Sequence, residues 1–393
     1  MYNFDKLTNR RGTNCFKWDE INEGELPMWI ADMDFEVAPA IKEGFKNRIE
    51  NSIYGYTFLG DSFYESYINW RKRRHHFEIK KEWIVFTTGV VPSISSAIRR
   101  ISEISNNVVV LTPVYNIFFN SIRNNGRDIL TCDLIYENGT YRIDFDDLER
   151  KLSDTETTVL IFCNPHNPVG RIWTKEEIIR VGELCKKHGV TVISDEIHCD
   201  LVDPIKEYVP FASVNEVNRE ISITLVSPTK TFNLAGIQTS VAIIPNKFLR
   251  DRVERGFNTD EIAEPNILAA IAPELAFNES EDWLEELRKY IYENKMIVKS
   301  FIEKELPEVH LICGEATYLL WLDCSKVSKN TANLQYFIRK STGLVLSDGI
   351  TYGEAGKNFL RMNVATQRER VVDGLNRLKK AIKEVERINE KWN

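Results

Sequence analysis

The run Val159-Leu-Ile-Phe-Cys-Asn-Pro-His-Asn-Pro-Val-Gly170 decides the architecture. Its first five residues are continuously apolar, with no polar position alternating among them. A strand with one wet face alternates. Val159–Cys163 therefore reads as a strand buried on both faces, the habit of a parallel sheet covered by helices. The chain then breaks at once. Two Asn-Pro pairs and a glycine make a stiff turn, because each proline fixes its own φ and restricts the residue before it. Turn geometry accounts for the prolines. The position adds more, since open α/β sheets take ligands at the carboxyl ends of their strands.

Working outward, six further short runs share this character: Ile84–Thr87, Val108–Leu111, Ile129–Cys132, Thr191–Ser194, Ser222–Val226 and Val241–Ile244. Amphipathic stretches separate several of them. One starts at Thr174-Lys-Glu-Glu177, a capping-box pattern, and runs to Lys187 before Gly189. The alternation predicts an α/β domain built on a mostly parallel, seven-stranded sheet. The last third differs. A long helix is expected from Asp282 to about Glu305, then strands at His310–Cys313 and Tyr318–Leu322. Val371, Leu375, Leu378, Ile382 and Val385 step by four and three, the stripe of an amphipathic helix. This part reads as a smaller α+β domain.

Composition bounds the function. A chain of 393 residues suggests two or three domains. Lys+Arg is 51 against 58 Asp+Glu, a formal net charge of −7. A general nucleic-acid binder needs a basic excess to replace counterions along phosphates, so none is expected. Hydrophobic residues at 43% exclude disorder as the dominant state. The start, MYNFDKLTNRRG, lacks the apolar core of a secretory leader, and no run of about 18 apolar residues suggests a membrane span. Seven scattered cysteines (15, 132, 163, 185, 199, 313, 324) form no CxxC pair. No disulfide framework or cysteine-held metal is expected, and a reducing cytoplasm is the expected compartment.

Four segments carry chemistry. Thr87-Thr-Gly89-Val90-Val91 ends one strand and precedes the helical stretch Ser93–Ile104; free N–H groups at such a turn suit an anion, though many such turns bind nothing. The Asn164–Gly170 turn is the second. Ser194-Asp195-Glu-Ile-His198-Cys-Asp200 is the third, with an Asp at a strand end that serves as a ligand group or merely as a cap. The fourth is Ser227-Pro-Thr229-Lys230-Thr-Phe-Asn-Leu-Ala-Gly236. A lysine is usually solvated; in a pocket its pKa falls and its amine can form a Schiff base. The basic run Arg71-Lys-Arg-Arg-His-His76 reads as a solvated helix face.

Taken together, these segments resemble the fold-type I pyridoxal-phosphate enzymes, the aspartate-aminotransferase superfamily. The resemblance rests on Asn-Pro-x-Asn-Pro-x-Gly170, then Asp195, then Ser227-x-x-Lys230. It runs from Leu26-Pro-Met-Trp-Ile-Ala-Asp-Met-Asp-Phe35 to Phe359-Leu-Arg-Met-Asn-Val-Ala365. Within that superfamily the chain is most similar to the MalY/PatB-type cystathionine β-lyases, through Asn9-Arg-Arg-Gly-Thr13 with Trp18-Asp19, residues 27–35, and Asp195–His198. Gln238 stands where aminotransferases usually carry Arg, and His198 where many have Tyr.

The resemblance implies a large cofactor-binding domain over residues 46–280 and a small one from 1–45 with 281–393. Lys230 would hold the cofactor aldehyde and take the Cα proton. Asp195 would face the pyridine nitrogen and keep it protonated, so that the ring accepts electrons. Tyr115 would stack on the ring and Asn167 bond its phenolic oxygen, with His198 beside them. Gly89, Val90, Ser227 and Thr229 would take the phosphate. Tyr56, with Tyr54 as competitor, would reach the neighbouring subunit's phosphate in a homodimer. Arg361 would bind the substrate α-carboxylate bidentately, assisted by the Ala31 backbone. No metal is implied. The implied reaction is C–S β-elimination on cystathionine, cystine or related cysteine conjugates. The same residues also serve an aminotransferase, the leading alternative, and a non-catalytic cofactor-binding regulator is the third.

Overall fold

A computed structural model describes residues 2–312 and 314–392. All seven expected strands form and lie in one sheet: β1 Ile84–Thr87, β2 Asn107–Thr112, β3 Asp128–Asp133, β4 Thr157–Cys163, β5 Thr191–Asp195, β6 Ser222–Val226 and β7 Ser240–Ile243. Their order is β1-β7-β6-β5-β4-β2-β3. Only β7 runs against its neighbours, β1 and β6; the other pairs are parallel. Residues of β4, β5 and β6 are almost all buried, so the continuous apolar runs correspond to strands covered on both faces.

The helices follow their sequence signals, with one shift. Thr174 closes the expected capping box with Glu177, and the helix Lys175–Lys187 follows. The helix expected from Ser93 begins earlier, at Val90, and ends at Ile101. Pro92 stands in its first turn, where the missing N–H costs nothing, so the proline does not delay the start.

A second sheet holds His310–Ile312, Leu319–Asp323, Ser347–Asp348 and Phe359–Asn363, all antiparallel. Cys313, expected at the end of its first strand, lies outside the described residues. The helix Glu281–Glu305 packs on its first strand, and the helix Arg368–Trp392 packs on that helix. Val371, Leu375, Leu378 and Ile382 are fully buried, and Val385 packs against the same core. Each such side chain contributes about 1.5–3 kcal/mol of burial.

Residues 26–35 form a strap that ties distant parts of the chain together. Leu26 and Pro27 pair in parallel with Leu344 and Val345. Asn363 Nδ2 donates to the carbonyls of Ile30 and Asp32 at 2.6 and 2.7 Å. Asn233, three residues past Lys230, donates to the carbonyls of Met33 and Phe35. At its end Asp34 is fully buried, taking Lys17 Nζ at 2.9 Å and Trp18 Nε1 at 2.8 Å. Burial alone would raise this carboxyl; Lys17 and Trp18 bring it below its ordinary value. Breaking such a buried pair costs about 3–5 kcal/mol.

Candidate active site

The carboxyl ends of the parallel strands converge, and the segments singled out in the sequence follow them. Asp195 is the last residue of β5, flush with Cys163 of β4 and Leu225 of β6. The Asn164–Gly170 turn leaves β4; its Asn164-Pro165 and Asn167-Pro168 peptides are cis. Lys230 sits in the single helical turn Pro228–Thr231 after β6.

Lys230 Nζ donates to Ala31 O at 2.6 Å, so the strap and the lysine meet. Burial lowers the amine's pKa, and Asp32 and Asp195 pull it partly back. Asp195 is 5% exposed. Its Oδ1 accepts from Ile197 N at 3.1 Å, and no hydrogen bond reaches Oδ2 among the described residues. Burial raises this carboxyl to about 7 against the opposing pull of that N–H. A buried carboxyl with one open oxygen fits a cationic N–H partner.

Arg361, on the strand Phe359–Asn363, is buried. It donates to Asn167 Oδ1 at 3.2 Å and to Trp29 O at 2.8 Å. Its guanidinium lies 4.9 Å from the Tyr352 ring centroid, and its Nε is buried without a partner. His198 is buried with Nδ1 unpartnered, and its ring meets Tyr318 edge-on at 6.2 Å. Burial, then Lys230 and Arg361, push its pKa down to about 3, so the ring is neutral near pH 7. The Tyr115 hydroxyl is raised by burial to about 12 and also stays neutral. Lys230, Ala31, Tyr115 and Arg361 line one cavity of about 470 Å³.

Gly89 and Val90 open the helix Val90–Ile101, and their N–H groups find no backbone acceptor among the described residues. Ser227 Oγ donates to Thr239 O at 2.6 Å and lies 2.7 Å from Thr229 Oγ1. Ser227 has one proton and gives it to that carbonyl, so Thr229 is the donor between them. Presenting either hydroxyl to an anion therefore takes a rotation. Tyr56 stands apart, fully exposed, while Tyr54 OH donates to Ile49 O. Gln238 is exposed, on left-handed backbone with φ 57°.

One expectation is corrected. The basic run at 71–76 is not a solvated face throughout. In the helix Asp61–His75, positions 71, 74 and 75 turn inward by helical spacing, while Lys72 and Arg73 stay in water. Arg71 is 1% exposed and pairs with Glu196 at 3.1 Å. Glu196 also takes Ser194 Oγ, Tyr208 OH and Phe211 N, so four contacts fix the residue next to Asp195. His75, Cys199 and Asp200 offer ligand atoms within 4.8 Å of one another. Arg71 and Arg74 already reach the sulfur and the carboxylate, and a cation there would face both guanidinium groups. Trp29, Tyr352 and Asn363 also belong to the site. Trp29 and Asn363 lie in the stretches 26–35 and 359–365 that carry the resemblance, whereas Tyr352 has no sequence signal.

The chain belongs to the aminotransferase class I and II family, whose model matches residues 30–378. Within that family it is 40% identical to cystathionine beta-lyase PatB of Bacillus subtilis, over 97% of this chain and all of that one. It is 31% identical to protein MalY of Escherichia coli, over 98% and 100% of the two chains. The crystal structure of cystalysin from Treponema denticola, which contains pyridoxal 5′-phosphate, superposes with a TM-score of 0.95 at 33% identity, covering 98% of this chain and all of that one.

Proposed function

We propose that this protein is a pyridoxal-phosphate-dependent carbon–sulfur β-lyase acting on L-cystathionine and related cysteine S-conjugates. The observation that carries the reaction class is the full-length similarity to a cystathionine β-lyase. In the balanced reaction the Cβ–S bond breaks, water is consumed, and thiol, pyruvate and ammonia are released.

The donor set fits the cofactor. A lysine amine of lowered pKa lies close enough to a buried carboxyl with an open oxygen, and to His198 with its unpartnered Nδ1, to act on the charge of both. Lys230 would hold the aldehyde, Asp195 the ring nitrogen, Tyr115 a ring face, and Asn167 and His198 the phenolic edge. Gly89, Val90, Ser227 and Thr229 would take the phosphate. When bound, the cofactor supplies an aldehyde for the substrate amine and an electron-accepting ring. Lys230 Nζ, whose pKa burial lowers, would accept the Cα proton. Arg361 orients the α-carboxylate, its plane braced by Tyr352 and Asn167.

The exposed apolar run Ile53, Tyr54, Tyr56 and Phe58 supports a homodimer in which Tyr56 reaches the neighbouring site. We assign residues 46–280 to a large domain and 1–45 with 281–393 to a small one. No helix among the described residues is long and apolar enough to cross a membrane. The six described cysteines are free, which supports a cytoplasmic setting. The test is a paired assay: pyruvate and thiol from L-cystathionine, against amino-group exchange with a keto acid. Brisk exchange without thiol release would leave the aminotransferase alternative.

A further inference from the structure

Charge is distributed unevenly around the 470 Å³ cavity. Its cations are Lys230 and Arg361, and Asp348 is the one carboxylate lining it among the described residues. Asp348 follows Ser347, the register partner of Arg361. Its Oδ1 takes Thr331 Oγ1 at 2.9 Å and Ile350 N at 3.3 Å, capping the turn Gly349–Tyr352. Capping therefore accounts for one oxygen. No hydrogen bond or ion pair among the described residues reaches Oδ2. Around Asp348 the lining side chains Asn116, Ile117, Gln335, Leu346 and Thr351 are neutral. Gln335 is spent on Leu346 O and Thr351 on Asp348 O. The wall thus offers no cation to a second carboxylate.

We propose that Asp348 determines specificity for the far end of the substrate, favouring cysteine S-conjugates that end in an ammonium group over those ending in a neutral group or a carboxylate. This rests on the lyase reading. With the α-carboxylate on Arg361 and Cα facing Lys230, the sulfur substituent extends into the remainder of the cavity. An ammonium at Oδ2 gains a charge-assisted hydrogen bond, while a carboxylate meets like charge. Specificity is the difference between those two interactions.

Three conjugates of similar length isolate the charge: S-(2-aminoethyl)-, S-propyl- and S-(2-carboxyethyl)-L-cysteine. For the holoenzyme, kcat/KM from pyruvate release is expected to be about tenfold higher for aminoethyl than for propyl, with carboxyethyl lower still; tenfold corresponds to about 1.4 kcal/mol. Asp348→Asn keeps an oxygen for Thr331 and Ile350, and the ranking should collapse. Asp348→Ser, also able to cap the turn, is the second variant should the first fold poorly. A wild type indifferent to terminal charge, or variants that keep its ranking, would overturn the proposal. Wild type that releases no pyruvate even from β-chloro-L-alanine would instead defeat the lyase reading. Calorimetric affinities of the same three conjugates would then decide the charge selection by themselves.

Discussion

Replacing Asp195 by asparagine should have opposite effects on the cofactor-free and cofactor-loaded protein. Burial raises the Asp195 carboxyl from 3.8 to about 7. A carboxyl raised on folding binds its proton more tightly in the folded state. Its stabilising contribution is full below the unfolded value and is lost as pH rises to about 7. About three pKa units correspond to roughly 4 kcal/mol, the cost of holding the charge unpaired in the core. Asparagine has the shape of the protonated acid and never charges. In cofactor-free protein, Asp195→Asn should match wild type near about pH 3 and exceed it by up to roughly 4 kcal/mol near about pH 8. Unfolding entropy of about 2 cal/mol/K per residue turns that into a Tm gain of about 5 °C. With cofactor bound, the carboxylate has a cationic partner that the amide cannot match, so the variant should melt below wild type. Thermal melts of both proteins across pH, with and without pyridoxal phosphate, measure all four cases. A Tm difference that is flat with pH in the cofactor-free protein, or that has the same sign in both forms, would refute the electrostatic assignment.

Lys230→Ala should abolish the borohydride-reducible link to the cofactor and nearly all turnover; a retained reducible adduct would mean that another lysine holds the aldehyde. Arg361→Lys replaces a planar fork by a point charge and frees Asn167, so KM should rise for every amino acid by roughly 10- to 100-fold, the equivalent of about 1.5–3 kcal/mol, while a change confined to one substrate would contradict a carboxylate role. Gln238→Arg alters an exposed position distant in role from the breaking bond, so cofactor retention should shift while the ratio of pyruvate release to amino-group exchange stays that of wild type; a swing toward exchange would show that this position governs the reaction.

Most of the sheet was legible because buried parallel strands announce themselves locally. Four or five mostly apolar residues between polar turns leave few alternatives, and the observed strands differ from expectation by at most two residues at either end. Asp195 and Lys230 were legible for a related reason, since Asp195 closes such a strand and Lys230 lies in the short turn just after another. What stayed hidden depends on contacts between remote positions. Tyr352 braces Arg361 from a short 3-10 turn whose sequence is unremarkable. The Arg71 run misled because its composition is solvent-like throughout, while helical phase sends Arg71 inward and leaves Lys72 outside. The stripe Phe63, Tyr67 and Trp70 on the same helix carries that phase, and Glu196 supplies the partner.

The strap also sets a timetable for synthesis. Trp29, whose carbonyl holds Arg361, is made 332 positions before it. At about 5–20 residues per second, the ribosome needs roughly 20 s to a minute to bridge that gap. In the last part of that interval, once Ile243 has been made, β1 to β7 can assemble and Lys230 can be seated, yet residues 361 and 363 have not been made to hold the strap. A nascent or prematurely terminated chain that stops short of them would present the reactive lysine without the groups that orient an amino acid. Completion of the polypeptide is thus built into completion of the pocket, and nonsense alleles anywhere before position 361 should be catalytically silent even where the large sheet survives.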